Sequence, residues 1–490
     1  MALTQTNSEA MYIDGKWIEG SSSKRIPVYD PSTEEIIAEV PDASSSEIDT
    51  AIAAARRAFD TTDWSTQHEQ RFKLMQRYRE VLGANRDKLV QIARLEAGSA
   101  IGAAFRAQID GALSGMDGLL ECFPRVQWDE DRGLRKEYGF DTKRLVLREA
   151  AGVVGAITPW NVPLYVNVGK VIAALLAGCT VVLKPAPDTP MMGAVMGELA
   201  IEAGLPPGVF NVITSADPAM AGEMLVADPR VDLISFTGST AVGKRVMEKG
   251  AATLKRVFLE LGGKSAYIVL DDAPGFPMVI AQSMVVFHAG QGCAYPTRLL
   301  VPKSRYAEVT KILEMAYAGF STKWGLPDDP ACIMGPLISK RQMERVLGYI
   351  ELGQKEGARL LAGGEPRPDK GGGFFVEPTC FVDVRNDMRI AQEEIFGPVL
   401  VVIPYENDDD AVRIANDSVY GLGGAVFGST ERALKVARRV RAGALSVNGG
   451  MSITGDLPFG GYKHSGMGRE WGREGIEEFT EIKAIGIRAS

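Results

Sequence analysis

The region from residue 151 to residue 270 alternates short apolar runs with longer amphipathic or apolar stretches. The short runs are rich in β-branched residues and predict strands over 153–157, 180–183, 209–213, 233–236 and 266–270. The longer stretches predict helices over 164–177, 191–203, 220–227 and 241–249. This alternation is typical of a parallel sheet covered by helices, and such a sheet binds ligands beyond the carboxyl ends of its strands.

The segments outside this region predict further helices and strands. Near the N-terminus a short strand pair precedes a helix that begins with a capping box formed by Ser44 and Glu47. A second α/β region extends from about residue 264 to residue 450. Apolar and charged residues alternate in 134–149, which reads as a hairpin around Gly139, and again in 480–488. Because two-stranded elements are barely stable alone, we expect these segments to pair with each other or with another subunit.

Length and composition describe an ordinary globular protein. The 490 residues predict two to three domains, and the chain is 46% hydrophobic and 24% charged. A net charge of −8 disfavours binding to nucleic acid or to an anionic membrane. The most apolar region, 153–183, is interrupted by Pro159, Pro163 and Lys170, so no membrane span is expected. With no secretory pattern at residues 1–20, we expect a cytoplasmic protein.

The cysteines point to single thiol chemistry rather than to a disulfide framework. The five cysteines are scattered without a CxxC pair, which disfavours disulfides and a metal site. Cys293 follows Gly290-Gln291-Gly292, an open loop in which a thiol is accessible as a nucleophile; the alternative is an inert, buried cysteine. His288 lies five residues earlier, and a Cys–His hydrolase pair is conceivable, although such partners are usually distant in sequence.

Two polar residues at predicted strand ends supply the remaining groups for catalysis. Glu260 ends an apolar run beside Leu261-Gly262-Gly263. Apolar surroundings there would raise the pKa of Glu260 and make it a general base. Asn161 lies between Pro159 and Pro163 in a rigid turn, and its amide could stabilise an oxyanion. The alternatives are an exposed strand-end glutamate and a turn-capping asparagine.

Two further motifs at the same predicted sheet edge suit a nucleotide. Gly238 and Ser239 follow a strand and open a helix, where free backbone N–H groups can bind a pyrophosphate; a simple helix cap by Ser239 is the alternative. Lys184 ends a neighbouring strand, where its ammonium group can reach a ribose or a phosphate. The glycines at 363–364 and 371–373 are more typical of surface loops than of a phosphate site.

In this order the motifs resemble the NAD(P)-dependent aldehyde dehydrogenase superfamily over essentially the whole chain. The matching motifs are Pro159-Trp160-Asn161-x-Pro163, Lys184-Pro185, Phe236-Thr237-Gly238-Ser239-Thr240-x-x-Gly243, Glu260-Leu261-Gly262-Gly263-Lys264-Ser265, Gly290-Gln291-x-Cys293, Glu393-Glu394-Ile395-Phe396-Gly397-Pro398-Val399 and Pro458-Phe459-Gly460-Gly461-Tyr462-Lys463. The resemblance implies an α/β fold like that of the aldehyde dehydrogenases, with a Rossmann-type cofactor domain, an α/β catalytic domain and a small β oligomerisation arm. The implied boundaries are 1–125 and 148–262 for the cofactor domain, 263–450 for the catalytic domain with 451–472 returning to the cofactor and substrate side, and 126–147 and 473–490 for the arm.

The resemblance also implies a mechanism. Cys293 would attack the aldehyde carbon, Asn161 and the Cys293 N–H would hold the oxyanion, and Glu260 would activate water against the resulting thioester. The implied cofactor-binding residues are Ile157, Thr158, Pro159, Trp160, Lys184, Ala186, Pro187, Phe236, Gly238, Ser239, Gly243, Leu261, Glu394 and Phe396. The candidate substrate-binding residues are Val162, Tyr165, Val166, Gly169, Ala294, Tyr295, Ile453 and Phe459. A homodimer or homotetramer is expected from the arm.

Two positions depart from the family pattern and bear on the ligands. Many NAD-preferring relatives carry a glutamate three residues after the lysine, where this chain has Pro187; we favour NAD and keep NADP as the alternative. Gly169 stands where relatives often have a large side chain, which suggests a wide, mostly apolar tunnel for a medium or bulky hydrophobic aldehyde. A CoA-acylating aldehyde dehydrogenase is the nearest alternative, which Glu260 disfavours, and a non-catalytic binding protein on the same fold is the other.

Overall fold

The computed structural model describes residues 10–100 and 106–489, so the predicted domain ends at residues 1–9 and 490 lie outside the described part. The strands up to residue 260 are β1 (Met11–Ile13), β2 (Lys16–Ile18), β3 (Arg25–Tyr29), β4 (Ile36–Pro41), β5 (Asp129–Glu137), β6 (Phe140–Ala150), β7 (Val153–Ile157), β8 (Thr180–Lys184), β9 (Phe210–Val212), β10 (Leu233–Thr237) and β11 (Arg256–Glu260). The helices over the same range are α1 (Ser45–Thr61), α2 (His68–Ala84), α3 (Arg86–Ala97), α4 (Gly111–Cys122), α5 (Pro163–Ala177), α6 (Met191–Ala203), α7 (Pro218–Ala227) and α8 (Thr240–Gly250).

The rest of the chain continues with strands and helices in alternation. Its strands are β12 (Ser265–Val269), β13 (Pro296–Pro302), β14 (Arg359–Ala362), β15 (Thr379–Val382), β16 (Val399–Tyr405), β17 (Gly423–Phe427), β18 (Ala444–Val447), β19 (Gly466–Met467) and β20 (Thr480–Arg488). Its helices are α9 (Phe276–Ala281), α10 (Tyr306–Phe320), α11 (Lys340–Lys355), α12 (Arg389–Gln392), α13 (Asp408–Asn416), α14 (Thr430–Ala437) and α15 (Gly472–Glu477).

The first sheet has eight strands in the order β19-β11-β10-β7-β8-β9-β1-β2. Strands β7 to β11 are parallel to their neighbours, whereas β1 and β19 join them antiparallel. The strand order reverses between β7 and β10, which makes this a doubly wound, Rossmann-type sheet with its switch point there. The parallel sheet predicted for this region is therefore confirmed.

The register of this sheet aligns the carboxyl ends that carry the candidate site residues. Ile157 lies opposite Lys184 on one side and opposite Phe236 on the other. Thr237 in turn lies opposite Glu260. Ligands of such sheets bind outside this edge, so the strand pairing alone collects residues that are up to about a hundred positions apart.

The second sheet corrects one part of the prediction. The strand pattern grouped residues 266–270 with the first sheet, whereas the boundaries implied by the resemblance put them in the second region. In the structure β12 lies between β13 and β17 in a seven-stranded sheet of order β14-β15-β16-β13-β12-β17-β18. The reason is the length of the connection. Four residues separate β11 from β12, and a parallel neighbour in the same sheet needs a crossover of a dozen residues or more. The Leu-Gly-Gly-Lys segment therefore crosses from one sheet to the other.

The two extended segments form one small sheet. The hairpin β5–β6 turns at Tyr138 and Gly139, and β20 pairs antiparallel with β6 from Thr480 opposite Ala150 to Arg488 opposite Thr142. The expectation that these segments pair with each other is confirmed. The sheet exposes large apolar side chains, among them Leu134 at 66% and Ile482 at 64%.

Local capping signals and burial fix the helices around the site. Ser44 accepts a hydrogen bond from Ser46 N, and Glu47 Oε2 accepts one from Ser44 N at 2.8 Å, so the predicted capping box starts α1. Helix α5 begins with Pro163 and ends at Gly178, whose φ of 98° is left-handed. Within the described ranges no helix is long and apolar enough to cross a membrane.

Trp471 is the largest fully buried side chain, and two glycines make room for it. A Cβ atom at Gly115 of α4 would lie 2.7 Å from Trp471 Cζ3, and one at Gly169 of α5 would lie 2.9 Å from Trp471 Cζ2. The indole ring therefore lies where side chains of α4 and α5 would otherwise pack. These two helices accept no larger residue at either position without moving the ring.

Gly115→Ala should destabilise the protein by about 1–3 kcal/mol, because the new methyl group would overlap a rigid, buried ring. The matched control is Gly348→Ala in α11, where a Cβ atom would meet nothing within 4 Å. That exchange should be neutral or stabilising by up to about 1 kcal/mol through helix propensity. Thermal and urea unfolding of the two variants measure this difference, and equal effects would contradict the packing argument.

Candidate active site

The crossing segment brings the second sheet against the carboxyl edge of the first. A Cβ atom at Gly263 would lie 2.3 Å from the carbonyl oxygen of Cys293, so only glycine permits this approach. The Gly263 N–H donates to Glu394 Oε1 at 2.9 Å. A Cβ atom at Gly262 would lie 2.6 Å from Glu394 Oε2. The two glycines thus place Cys293 and Glu394 on either side of the segment that follows Glu260.

The loop that carries Cys293 is held in a strained conformation. His288 and Ala289 have φ values of 47° and 49°, in the left-handed region that L-residues seldom adopt. Gly290 has φ 72°, and a Cβ atom there would lie 2.1 Å from Gly397 O. The fully buried Gln291 side chain accepts from Ile338 N at 2.9 Å. Backbone strain that the surroundings maintain in this way is typical of functional sites.

The thiol of Cys293 lies among acidic groups. Burial raises the pKa of Cys293 above its ordinary value, and the negative charges of Glu260, Glu394 and Glu470 raise this pKa further. The thiol is therefore protonated at neutral pH. A nucleophile of this kind needs a base nearby.

Glu260 is suited to act as that base. The residue is 2% exposed, and neither carboxylate oxygen has a hydrogen-bond partner among the described residues. Burial and the charge of Glu470 raise the pKa of Glu260 well above its ordinary value, while Lys170, Arg469 and the backbone N–H of Gly461 oppose this shift. A Cβ atom at Gly460 would lie 2.9 Å from Glu260 Oε1. The carboxylate is thus desolvated and free to take a proton from a small molecule.

Asn161 faces the thiol loop. Its side-chain Nδ2 atom donates to Gln291 O at 2.8 Å, and its backbone carbonyl oxygen accepts from Gln108 Nε2 at 3.1 Å. A side-chain amide has two N–H donors, so one remains for a second acceptor. The residue is 4% exposed, and its orientation is fixed before any ligand binds.

An ion pair behind the catalytic groups was missed by the sequence analysis. Lys170 Nζ lies 2.7 Å from Glu470 Oε1 and 3.0 Å from Ser235 Oγ, and both charged residues are buried. The ammonium group also lies 5.0 Å from the centre of the Phe258 ring. A lysine in the middle of an apolar helix was the available signal, but its partner stands 300 positions later.

The Cys–His alternative finds no support in the geometry. His288 is buried, and neither ring nitrogen has a hydrogen-bond partner among the described residues. Burial lowers the pKa of His288 to about 4, so the ring is neutral at pH 7. Within the same residues, no group of three His, Cys, Asp or Glu side chains could hold a metal ion.

The predicted nucleotide-binding residues lie around the switch point. Lys184 is 2% exposed and donates to Pro185 O at 3.1 Å, and burial lowers its pKa to about 8. The hydroxyl of Thr158 is buried without a partner among the described residues. Ser239 caps α8 by accepting a hydrogen bond from Val242 N at 3.4 Å. The predicted helix cap is therefore present, and it is compatible with an anion at the same helix start. The remaining predicted members lie at or beside the same strand ends: Ile157, Pro159, Ala186, Pro187, Phe236, Gly238, Gly243 and Leu261.

Phe396 lies across the edge from Trp160. Their ring centres are 5.3 Å apart in an edge-to-face arrangement, and Phe396 has φ 61°. Two residues of α11 that the sequence analysis missed hold this loop. Gln342 Nε2 donates to Phe396 O at 2.7 Å, and the Arg345 guanidinium donates to Glu394 O at 2.6 Å.

The predicted substrate residues differ in their packing and exposure. Tyr165, Ala294 and Ile453 are partly exposed and pack on the same core as Cys293, together with buried Phe459. Tyr295 covers Gly292, where a Cβ atom would lie 2.6 Å from its ring. Val162 is partly exposed and Val166 is buried.

Gly169 does not open the space expected from the sequence, because the Trp471 ring fills it. Trp471 comes from a segment 302 positions later, and nothing in the sequence around Gly169 indicates it.

Comparisons with known proteins agree with this arrangement. The family model described as the aldehyde dehydrogenase family matches residues 17–485, and the chain belongs to this family. A 3-succinoylsemialdehyde-pyridine dehydrogenase of Pseudomonas sp. is 42% identical over 479 residues, which are 97% of each chain.

Solved structures give the same fold. A Mycobacterium tuberculosis aldehyde dehydrogenase complexed with NAD+ has a TM-score of 0.92 and 42% identity, covering 97% of both chains. A cysteine-to-alanine variant of Pseudomonas syringae aldehyde dehydrogenase C, complexed with NAD+ and octanal, has a TM-score of 0.90 and 40% identity, covering 98% of this chain and 96% of that one. The protein is thus an enzyme of the NAD(P)-dependent aldehyde dehydrogenase class.

Alkylation of Cys293 by iodoacetamide in the ligand-free enzyme should increase with pH up to about pH 9 or beyond, because only the thiolate reacts and its pKa is raised. Glu260→Gln should shift this profile to lower pH by about one unit, since the exchange removes a negative charge that disfavours the thiolate. Site-resolved mass spectrometry measures the rate, and Glu198→Gln serves as a distant control. An unchanged profile, or a shift to higher pH, would contradict the electrostatic account.

Proposed function

We propose that this protein oxidises a hydrophobic, medium-sized to bulky aldehyde to the carboxylic acid with NAD+ through a thioester on Cys293. The observation that carries the proposal is the pairing of a loop thiol with a buried carboxylate that has no hydrogen-bond partner among the described residues. A hydrolytic second step needs a base of this kind, desolvated and free to accept a proton from water. Asn161, already oriented toward the thiol loop, supplies the third group.

In the first step, the Cys293 sulfur attacks the aldehyde carbon, and its proton passes to Glu260. The carbonyl electrons move to the oxygen, where the free amide hydrogen of Asn161 and the Cys293 N–H stabilise the negative charge. Bound NAD+ supplies the hydride acceptor for the oxidation. The oxidised adduct would be a thioester, and Glu260 then releases the thiol proton to solvent. Glu260 next takes a proton from the water that attacks the thioester carbon, the carbon–sulfur bond breaks, and the sulfur takes this proton from Glu260, so that the acid leaves with the thiol restored.

The residues at the sheet edge fit a dinucleotide. Lys184 and Glu394 would bind the two riboses, the start of α8 with Ser239 would face the pyrophosphate, and Phe396 would pack near the nicotinamide ribose. The buried, unpartnered hydroxyl of Thr158 fits a polar ligand at this point. NAD+ in the solved relatives supports NAD as the cofactor. NADP stays the alternative, because Pro187 carries no carboxylate; burial raises the pKa of the neighbouring Asp188, and the charge of Arg341 partly opposes this shift.

The apolar lining supports a hydrophobic substrate. Ala294, Ile453 and Phe459 pack on one core with Cys293, and octanal bound by the Pseudomonas syringae relative is an aldehyde of this type. The carboxylates around the thiol disfavour an acidic aldehyde. We further propose that the part built on the eight-stranded sheet binds the cofactor, that the part built on the seven-stranded sheet carries the nucleophile, and that the three-stranded sheet joins subunits.

The two alternatives differ in specific residues. A CoA-acylating enzyme intercepts the thioester with a thiol and does not need a buried carboxylate beside it, so the free oxygens of Glu260 favour hydrolysis. A non-catalytic protein on this fold has no use for a nucleophile, yet Cys293 is present on a loop that the surroundings hold in place.

Purified enzyme with octanal and NAD+ should form NADH continuously, and Cys293→Ser should abolish this turnover. Glu260→Gln should still give a burst of up to one NADH per active site, formed more slowly than in the natural enzyme, followed by turnover slowed by about 10²- to 10⁴-fold, because Glu260 is the base for the thiol in the first step and for water in the second. Rapid-mixing absorbance at 340 nm measures both phases.

Full turnover by Cys293→Ser would refute the nucleophile, and unchanged hydrolysis in Glu260→Gln would refute the base. Acceleration of thioester release by CoA in the natural enzyme would favour the acylating alternative.

Ile482→Asp should weaken subunit association, because Ile482 is 64% exposed on the three-stranded sheet and a charge there opposes burial against a second copy. Met315→Asp is the matched control, since Met315 is 59% exposed on α10 in a different part of the molecule. Sedimentation velocity over a concentration series should detect smaller species for the first variant alone. Equal behaviour of the two variants would place the interface elsewhere.

A further inference from the structure

Trp471 is held in an unusual position beside the catalytic residues. Its backbone φ is 61°, a left-handed conformation that bulky residues seldom adopt, and its side chain is fully buried. It directly follows Glu470, whose carboxylate is bound to Lys170. Strained residues of this kind cluster where a ligand is bound, so the indole ring is a candidate for more than packing.

The contacts of Gly115 and Gly169 show which edge of the indole ring faces α4 and which faces α5. Gly115 faces the Cζ3 and Cη2 atoms, on the edge away from the ring nitrogen. Gly169 faces Cζ2 and Cε2, and Cε2 is bonded to Nε1. The N–H edge therefore lies on the α5 side of the ring, next to Gly169.

Tyr165 lies one helical turn before Gly169 on the same face of α5 and packs against the indole ring. The two ring centres are 4.6 Å apart at an angle of 44°. Tyr165 Oη and Trp471 Nε1 are both buried, and neither has a hydrogen-bond partner among the described residues. Buried hydroxyl and indole N–H groups usually find a partner, since leaving them unpaired costs free energy.

This pair is close to the reacting thiol. Tyr165 is partly exposed and packs on the same core as Cys293, Ala294 and Ile453. Burial raises the pKa of the Tyr165 hydroxyl, and the charges of Glu470 and Cys293 raise it further. Asn161, which faces the thiol loop, stands four positions before Tyr165. Tyr165 therefore stands on α5 between Asn161, which faces the thiol loop, and the Trp471 ring.

The charges nearby decide what kind of group fits. The ammonium group of Lys170 is already bound to Glu470 and Ser235. Glu260 and Glu470 add negative charge. A carboxylate on the substrate would thus meet repulsion, whereas an uncharged acceptor can bind two donors.

We propose that Tyr165 and Trp471 form a polar subsite on the acyl side of Cys293 that binds an uncharged hydrogen-bond acceptor of the substrate, such as a ketone, an ether or an aromatic nitrogen. The proposal rests on the proposed function and makes it more specific. The substrate class becomes an apolar aldehyde with one such acceptor at a set distance from the aldehyde group.

The test compares octanal with oxo-octanals that carry a ketone at successive positions of the chain, all with NAD+. For the natural enzyme the ratio of kcat/KM for oxo-octanal to kcat/KM for octanal should be highest at one ketone position. Tyr165→Phe removes only the hydroxyl group and should lower that ratio about three- to tenfold at this position. Tyr78→Phe is the control, since it removes a buried hydroxyl that donates to Met196 O in the same part of the chain, and it should leave the ratio unchanged.

The outcomes distinguish a failure of the polar subsite from a failure of the proposed aldehyde oxidation. Absence of any aldehyde oxidation would refute the proposed function. Oxidation with no preferred ketone position, or with the same ratio in Tyr165→Phe as in the natural enzyme, would show that only water binds the two donors and would overturn the subsite. A higher kcat/KM for an aldehyde of the same length with a terminal carboxylate would overturn it as well. Trp471→Phe, if it folds, should lower the same ratio at the same position.

Discussion

The contact between Gly263 and the carbonyl oxygen of Cys293 is the constraint on which the catalytic arrangement depends. Strands β11 and β12 belong to different sheets and are joined by four residues, so this segment fixes where the two halves of the molecule meet. Because a Cβ atom at Gly263 would lie 2.3 Å from the Cys293 oxygen, the approach excludes every side chain. Glu260 stands three residues before Gly263. The proposed base and the proposed nucleophile are therefore positioned by one short piece of backbone, with Glu260 at the end of β11 in the first sheet and Cys293 on the loop before β13 of the second.

Electrostatics at this junction follow from burial. Burial raises the pKa of the thiol, the charges of Glu260, Glu394 and Glu470 raise it further, and the ammonium group of Lys170 is bound to Glu470. An arrangement with this excess of buried negative charge keeps the thiol protonated and leaves Glu260 ready to accept a proton. The same charges limit the ligands that can approach. The proposed substrate, an uncharged and largely apolar aldehyde, suits the apolar lining. The donors of Tyr165 and Trp471, which have no hydrogen-bond partner among the described residues, form the proposed polar subsite.

The elements of the first sheet could be predicted from the sequence because each depends on local patterns. Apolar runs of four or five residues predicted the strands, and the capping box at Ser44 predicted the start of α1. The assignment of residues 266–270 to the first sheet was wrong, because a strand pattern does not say which sheet a strand joins. The prediction that Gly169 opens a wide substrate tunnel was wrong for a related reason. A glycine leaves space beside its helix, but the sequence does not show that the indole ring of Trp471 fills this space.

The sequence by itself determined the family, the candidate nucleophile, base and amide, and the motifs at the sheet edge, because these depend on residue types at fixed spacings within short segments. The tertiary structure alone decided which charges meet and which spaces are filled. Lys170 and Glu470 are 300 positions apart, and Gly115, Gly169 and Trp471 come from three separate segments. Such contacts depend on how helices and sheets pack, and that packing is set by the whole core rather than by any local pattern.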